Sequence, residues 1–244
     1  MDKTQERQEA IPEKDENHVR IKPSLFNPRR YCLKKLLGLM NWANQGFVKP
    51  LAQKQDVQLV DYGCGTKPYL SVFKHDNITY QGVDIDWNPH ADIYIENGKI
   101  NLPDNSVDVV LSTQVLEHVE DYNQYLKEAY RILKKDGLLL LTTHGYWMYH
   151  PDPTDFWRWT SAGLKKIVQD NDFEVVAFKG IIGRASMGLH LFQDGILFKL
   201  PKFLRGLWSF FMQFWIMIFD KISSQASRDE DGCTYLVVAR KVDK

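Results

Sequence analysis

A glycine-containing turn between two apolar runs constrains the fold of this chain more than any other feature. The run Val57–Tyr62 leads into the letters GCGT at 63–66, and a second run ends in Asp84, nineteen residues after Gly65. A strand, a glycine turn, a helix and a strand ending in a carboxylate are typical of a doubly wound α/β sheet that binds an adenosine-containing ligand. Glycine lets the backbone approach that ligand, and the carboxylate can accept hydrogen bonds from both ribose hydroxyls.

The residues after this turn narrow the choice of ligand. A dinucleotide site needs a third glycine in the pattern G-x-G-x-x-G, but the third position here is Pro68, which suits the first turn of a helix and removes an N–H that a pyrophosphate would use. The sequence also lacks the G-x-x-x-x-G-K-[ST] loop of nucleoside triphosphate sites. An adenosine ligand without phosphates points to S-adenosylmethionine.

Composition sets further limits. The 244 residues can form one sizeable core, and a formal net charge of zero gives no general attraction to nucleic acid, so we expect no nucleic-acid partner. Cys32, Cys64 and Cys233 are too few and too widely spaced for a disulfide framework or a zinc site, which favours a reducing, cytoplasmic location and no metal. Residues 1–20 are charged and lack the apolar segment of a signal peptide, so they predict a disordered tail.

Apolar periodicity predicts alternating strands and helices. We expect helices at 31–42, 122–134 and 161–171, and strands at 57–62, 78–85, 92–95, 107–112, 138–143, 173–178 and 234–240. This order predicts a Rossmann-like, doubly wound, mostly parallel sheet of seven strands with right-handed crossovers. The corresponding domain plan is a flexible tail at 1–27, a cap helix at 28–52, a core at 53–184 plus 231–242, and an apolar helical insertion at 185–230.

The insertion is unusually apolar. Its densest part is 203–219, where Arg205, Ser209 and Gln213 form a narrow polar stripe, and its longest run without charge is fourteen residues. A membrane-spanning helix needs about 20 residues, so we expect none here. The insertion could pack onto the core as a lid, form a homodimer interface, or lie as a helix in the surface of the inner face of a membrane.

Several motifs resemble the class I S-adenosylmethionine-dependent methyltransferases, in particular a subgroup with small-molecule acceptors that includes members associated with polysaccharide and lipid biosynthesis. The resemblance covers 57–178 and the final strand. It rests on the order and spacing of DYGCGTKPY at 61–69, GVDID at 82–86, LPDNSVDVV at 102–110, VLEHV at 115–119 and RILKKDG at 131–137.

The resemblance implies roles for individual residues in cofactor binding. Asp84 would bind the ribose hydroxyls, and Gly63 and Gly65 would line the methionine portion through the backbone. Asp61 would orient that turn and receive the cofactor's amino group. The adenine would meet Glu96 or, as the less favoured candidate, Asn97, and the backbone near Thr113 and Gln114 would close the site. Two departures from the family pattern are Lys67, where a second glycine is frequent, and Glu96, where aspartate is usual.

A proline-rich segment carries the candidate acceptor residues. The letters HPDPTDFWRWT at 150–160 follow the fifth main strand and therefore lie at the carboxyl edge of the sheet, where such folds bind ligands. Similar strings occur in the subgroup named above. Asp155 and Arg158 either pair to order the loop or contact the acceptor. Three aromatic side chains in this segment or just before it are further candidates: Tyr146, Trp147 and Trp157. They either shield the sulfonium and stack on a sugar ring or pack the loop.

A hydroxyl acceptor needs a general base, and histidine suits that role near neutral pH. The candidates are His150, then His144, then His118. The sequence therefore predicts an S-adenosylmethionine-dependent methyltransferase that acts on an oxygen of a small-molecule or glycan-like acceptor. The alternatives are methylation of a lipid or quinone precursor at a membrane surface, and a binding protein that keeps the cofactor fold without catalysis.

Overall fold

The sheet predicted from the sequence is present in the computed structural model, which describes residues 19–242. Its strands are β1 (Val57–Tyr62), β2 (Ile78–Asp84), β3 (Ile93–Glu96), β4 (Lys99–Ile100), β5 (Val107–Thr113), β6 (Leu133–His144), β7 (Phe173–Ile181) and β8 (Thr234–Lys241). They lie in the order β4-β3-β2-β1-β5-β6-β8-β7. The pairs that join β3, β2, β1, β5 and β6 are parallel, whereas β8 runs antiparallel to both β6 and β7. The Rossmann-like fold class is therefore confirmed.

The expected count of seven strands is one too low. The additional strand, β4, pairs antiparallel with β3 through a two-residue turn made by Asn97 and Gly98, whose φ angles are 51° and 75°. Two successive residues with positive φ form the hairpin turn that Asn-Gly favours. The Asn-Gly pair is the sequence signal from which this hairpin could have been predicted.

Helices cover both faces of the sheet. They are α1 (Arg30–Ala43), which continues through a π-helical segment (Asn44–Val48) into α2 (Lys49–Ala52), then α3 (Leu70–Phe73), α4 (Tyr122–Ile132), α5 (Ser161–Asp170), α6 (Arg184–Leu197), α7 (Lys202–Asp220) and α8 (Gln225–Asp231). Helix α4 ends at Ile132, two residues before the predicted end, because β6 already begins at Leu133. Asp136, near the start of β6, adopts a φ of 60°. Residues 1–18 of the predicted tail lie outside the described residues.

Two apolar layers enclose the sheet. One packs α1 against β1 and β8 through Met40 and Leu59, and the other packs α4 and α5 against β5 and β6 through Leu126 and Leu164. Six of the seven residues of β5 are buried, as expected for a central parallel strand covered on both faces. This packing fixes the carboxyl edge of the sheet, where β1, β2, β5 and β6 end beside one another.

The apolar insertion packs in an unexpected orientation. In α7 the polar side chains of Ser209, Gln213 and Asp220 are buried, whereas most of its aromatic side chains are exposed. Gln213 accepts a hydrogen bond from the Tyr31 amide and donates to the Pro28 carbonyl oxygen, which attaches α7 to the start of α1. Within residues 19–242, no helix combines the length and apolar character that crossing a membrane requires.

Candidate active site

The turn after β1 adopts the backbone conformation that only glycine takes readily. Gly63 and Gly65 have φ angles of 79° and 50°. A Cβ on Gly63 would lie 2.5 Å from a methyl carbon of Val115, which follows β5. The segment after β5 therefore closes directly over the turn. Lys67, which stands where the family often has another glycine, also has a positive φ of 56° and forms an ion pair with Asp92 at 2.6 Å.

Asp84 holds this turn in place from the tip of β2. Its Oδ2 accepts hydrogen bonds from the Gly65 amide at 2.8 Å and from the Asn88 side chain at 2.7 Å. Asn88, which is buried, also donates to the Gly65 carbonyl oxygen, so it joins the turn to the end of β2. The other oxygen, Oδ1, accepts a hydrogen bond from the Ile85 amide at 2.9 Å, and each carboxylate oxygen has two lone pairs, so the half-buried Asp84 retains acceptor capacity on Oδ1. Asn88 was not among the residues predicted from the sequence.

Asp61 lies beneath the turn. Its side chain is buried in β1 and accepts a hydrogen bond from the Tyr80 hydroxyl of β2. Burial raises the pKa of the Asp61 carboxyl to about 7 and outweighs the lowering effect of that hydrogen bond. In this arrangement Asp61 braces β1 against β2 below the predicted cofactor position.

The residues predicted to contact adenine or to close the site occupy two places. Glu96 and Asn97 are both exposed in the β3–β4 hairpin, where the positive φ of Asn97 gives it a conformational part in the turn. Thr113 ends β5 and is half-buried, and Gln114, with a φ of 58°, donates its amide hydrogen to the Thr142 carbonyl oxygen. Thr113 and Gln114 thus adjoin Val115 at the carboxyl edge.

The loop after β6 is ordered by an ion pair. The Arg158 guanidinium donates to both carboxylate oxygens of Asp155 and to the backbone carbonyl oxygens of Trp147, Met148 and Trp157. Burial opposes ionisation of Asp155, but the hydrogen bonds from Arg158 and the His150 amide prevail and lower the pKa of Asp155 to about 2. Asp155 and Arg158 are thus engaged in holding the loop.

The aromatic candidates divide between the loop and the cluster of histidines. Trp147 stacks on His144, with ring centroids 4.9 Å apart and an interplanar angle of 2°. Trp157 donates its indole N–H to the Val119 carbonyl oxygen and packs its ring edge-on to Tyr122. Tyr146 is exposed and donates its hydroxyl to Asp231 of α8. Trp157 and Tyr146 therefore have structural partners, whereas Trp147 shields the cluster.

The three candidate bases converge although they are distant in the sequence. The His150 ring lies 5.0 Å from the His118 ring and 4.9 Å from the His144 ring, measured between centroids. Glu117 joins them, with its Oε1 3.3 Å from Nε2 of His144. We call these four side chains the histidine cluster. Glu117 was absent from the predicted site residues, although it directly precedes His118 in the motif at 115–119.

Burial controls ionisation within the cluster. It raises the pKa of the Glu117 carboxyl to about 7 and lowers the pKa of His144 well below the usual value for histidine. It also lowers the pKa of the half-buried His150, against the opposing effect of Asp155. His144 is therefore neutral at pH 7, and His118, which faces the Thr154 carbonyl oxygen through Nδ1 at 2.7 Å, carries its proton on that nitrogen when neutral.

Comparison with known proteins identifies the family. A family model described as a methyltransferase domain matches residues 40–177, which is 138 of the 244 residues. The chain belongs to this methyltransferase family. A Mycolicibacterium smegmatis relative, named a probable S-adenosylmethionine-dependent methyltransferase, is 31% identical over 106 residues that cover 41% of each chain. An uncharacterized Methanocaldococcus jannaschii protein is 34% identical over 117 residues, covering 42% of this chain and 51% of the relative. The chain thus spans about half or less of these curated relatives' length.

Solved structures share the fold of this chain. A putative sarcosine dimethylglycine methyltransferase from Galdieria sulphuraria superposes with a TM-score of 0.56 at 13% identity, over 85% of this chain and 87% of the other. An S-adenosylmethionine-dependent methyltransferase from Archaeoglobus fulgidus gives 0.51 at 17% identity, over 84% and 94%. The cyclase SpnF gives 0.54 at 19% identity, over 85% and 81%. These likenesses show the class I methyltransferase fold, and the cyclase shows that the fold alone does not define the reaction.

Proposed function

We propose that this protein binds S-adenosylmethionine at the turn after β1 and transfers its methyl group to an oxygen of a small-molecule or glycan-like acceptor. The observation that carries the proposal is the position of the histidine cluster. It lies beyond β5 and β6, at the same sheet edge as the Gly63 turn and Asp84, and Val115 links the two regions by touching Gly63. A donor site and a candidate proton-accepting site thus share one edge of the sheet.

On the donor side, Asp84 would accept hydrogen bonds from the ribose hydroxyls, and the backbone of Gly63 and Gly65 would line the methionine portion. In the reaction the acceptor oxygen forms a bond to the methyl carbon while the carbon–sulfur bond breaks and its electron pair passes to sulfur. The sulfonium is already an activated leaving group, so alignment of the two reactants supplies most of the catalysis.

On the acceptor side, the acceptor hydroxyl must lose its proton. His118 directs Nδ1 toward the Thr154 carbonyl oxygen, and His150 holds Nδ1 3.0 Å from the Asp155 carboxylate. We therefore assign the proton of each neutral ring to Nδ1, which leaves Nε2 with a lone pair. His144 is buried between Trp147 and Glu117, so a direct contact with the acceptor is better suited to the other two histidines.

Substitution of Asp84 tests the donor site. We expect Asp84→Ala to weaken S-adenosylmethionine binding by roughly 1.5–3 kcal/mol, because two charge-assisted hydrogen bonds to the ribose are lost. Isothermal titration calorimetry measures this change. Asp86→Ala removes an exposed carboxylate two residues further on and is the matched control, with unchanged affinity expected. Equal affinity of wild type and Asp84→Ala would remove Asp84 from the site.

Catalysis requires its own measurement, because a binding protein with this fold would also pass the calorimetric test. Single-turnover transfer of a labelled methyl group to hydroxyl-bearing acceptors distinguishes the two functions. We expect His150→Ala to lower turnover while leaving S-adenosylmethionine affinity nearly intact. An equal loss of cofactor binding would show that His150 supports the fold instead.

A second acceptor class, lipid or quinone precursors at a membrane surface, is favoured by one surface of the molecule. We define the aromatic face as the exposed apolar side chains of α7, which are Phe203, Leu204, Leu207, Phe210, Phe211, Phe214, Trp215 and Phe219. Between α7 and α1 lies a groove of about 230 Å³ in which Arg30, Lys34 and Lys35 adjoin Phe210 and Phe214. Cations beside exposed aromatic rings suit an anionic membrane surface.

The insertion also reaches the histidine cluster. The His190 ring of α6 lies 6.0 Å from the Trp147 ring, which stacks on His144. Arg29 joins the same region, with an ion pair to Asp194 of α6 at 2.6 Å and a position 5.2 Å from the Trp147 ring centroid. Helix α6 of the insertion therefore adjoins the loop that carries His150.

Vesicle flotation distinguishes the two acceptor classes. If the acceptor is a membrane component, the protein should float with anionic vesicles, and Phe211→Glu should abolish flotation, because it places a carboxylate among exposed aromatic rings. Val176→Glu introduces the same charge at an exposed apolar position of β7 and should float like wild type. No flotation would favour the soluble acceptor. Sedimentation of both variants tests the remaining alternative, a homodimer through 203–219.

A further inference from the structure

Three metal-ligating side chains meet at the acceptor edge, each from a different segment. Glu117 lies in the short helical turn after β5, His144 ends β6, and His150 belongs to the following loop. One ligand atom from each lies within 4.8 Å of the other two, and this is the one such group of three among residues 19–242. They are 27 and six positions apart in the sequence, which matches no compact metal motif.

Glu117 provides an independent observation that points to a cation. Its side chain is fully buried, and Oε2 accepts a hydrogen bond from the Thr143 hydroxyl at 2.8 Å. Oε1 has no hydrogen-bond partner and lies 3.3 Å from Nε2 of His144. A buried carboxylate oxygen without a donor is costly, whereas a cation between this oxygen and an imidazole lone pair would satisfy both.

The two histidines are held by groups on their other ring nitrogens. Nδ1 of His150 lies 3.0 Å from the Asp155 carboxylate, and Nδ1 of His144 lies 3.4 Å from the Thr234 hydroxyl. Metal-binding histidines generally have such a partner, which fixes the ring orientation and the tautomer. Both rings can therefore offer Nε2 as the ligand atom.

We propose that Glu117, His144 and His150 bind a divalent transition-metal ion of the zinc type. Bond lengths of about 2.0–2.1 Å in tetrahedral geometry place ligand atoms roughly 3.3 Å apart, which is the distance between Glu117 and His144. Two histidines and a glutamate are a ligand set of catalytic zinc sites, in which a further position stays open for a substrate or water. Imidazole ligands disfavour Mg²⁺ and Ca²⁺, which prefer oxygen.

The role of this ion rests on the proposed function. At its open position the ion takes the acceptor hydroxyl and lowers the pKa of that hydroxyl, so the proton is released before or as the oxygen attacks the methyl carbon. With Nε2 of His150 bound to the ion, the proton passes to His118 or to solvent. The ion itself is neither oxidised nor reduced, and the carbon–sulfur electron pair goes to sulfur as in the unassisted reaction.

Metal titration of the full-length chain tests the proposal. Protein freed of metal by chelation is dialysed against Zn²⁺, and Co²⁺ is titrated in parallel because its visible absorption reports tetrahedral nitrogen and oxygen ligands. We expect one ion per chain, no competition from Mg²⁺, and at least a tenfold loss of affinity in His150→Gln and in Glu117→Gln. His75→Gln removes a histidine that hydrogen-bonds to Asn44 outside the cluster and should bind like wild type.

Two outcomes would overturn the site: absence of stoichiometric Zn²⁺ binding to the wild-type chain, or equal affinity in His150→Gln. The half-exposed His150 carries the test if Glu117→Gln, at a fully buried position, fails to fold. S-adenosylmethionine affinity is measured on the same samples. Cofactor binding and methyl transfer without metal binding would sink this inference alone, whereas metal binding without cofactor binding would sink the proposed function alone.

Discussion

Gly63 shows how one missing side chain shapes the site. Its positive φ and its contact with Val115 join two segments that approach the same point from β1 and β5. The contact with Val115 is not visible in the sequence, where the two residues are 52 positions apart. A Cβ at this position would both strain the backbone and push Val115 away.

Alanine substitutions at two glycines distinguish the strain and the clash at Gly63 from the ordinary effect of replacing a glycine on stability. We expect Gly63→Ala to lower the free energy of unfolding by about 1–3 kcal/mol, because alanine is strained at this φ and would clash with Val115. Gly188→Ala, at an exposed position in α6 with no atom within 4 Å of the added Cβ, should be neutral or stabilising by up to about 1 kcal/mol. Urea denaturation measures both, and equal effects would contradict this account of Gly63.

The individual residues also show how far sequence reasoning reached. The pattern around Gly63, Gly65 and Asp84 predicted the turn, because backbone conformation and strand ends leave local signals. The meeting of Glu117 with His144 could not be predicted in the same way, since it depends on the register between the ends of β5 and β6. The Glu117-His118 pair and the position of His144 at a strand end were the signals that could have suggested it.

At the scale of elements, α7 reverses the usual arrangement of an amphipathic helix. Periodicity correctly indicated its polar stripe but not the direction in which the stripe points. Gln213 explains the direction. Its side chain donates to the Gln193 side chain, accepts a hydrogen bond from the backbone amide of Tyr31 and donates to the backbone carbonyl oxygen of Pro28. Those backbone groups at the start of α1 need partners, and the polar stripe provides them.

The attachment of α7 can be tested through this residue. We expect Gln213→Leu to destabilise the protein by roughly 1–3 kcal/mol although leucine is more apolar, because the Tyr31 amide loses its partner while the Pro28 carbonyl oxygen keeps the bond from Gln193. Phe211→Ser, at an exposed position of the same helix, should change the free energy of unfolding by less than about 0.5 kcal/mol. Denaturant unfolding of both variants provides the comparison. A larger loss for Phe211→Ser would mean that the aromatic face is buried in solution.

At the scale of the whole molecule, alternation of strands and helices predicted the sheet because each crossover must bury an apolar face on it. Two features did not follow from alternation. The β3–β4 hairpin needed attention to the Asn97-Gly98 pair, and the antiparallel position of β8 depends on how the insertion returns the chain to the sheet.

The pH dependence of overall stability should report the buried carboxyl of Asp61. Its pKa in the folded state is about 7, above the value of about 3.9 in an unfolded chain, so the folded state retains a proton that the unfolded state has released between these pH values. The contribution of Asp61 to stability is therefore largest below about pH 4 and is lost as the pH rises to 7.

Comparison with Asp61→Asn isolates this contribution from other titrating groups. The stability of the variant relative to wild type should increase between pH 5 and pH 7 by up to about 1.4 kcal/mol per pH unit and change little above pH 8. Thermal and urea unfolding across this range measure the difference. A difference independent of pH would show that Asp61 is ionised in the folded protein throughout.

The position of β8 has a consequence for biosynthesis. This strand lies between β6 and β7 but is translated after both, on the far side of the insertion. While the ribosome is still making residues 182–233, β6 exposes an unpaired edge, and β7 has no neighbour at all. A premature stop codon in that interval would therefore yield a chain with unpaired strand edges, which is prone to aggregation and proteolysis.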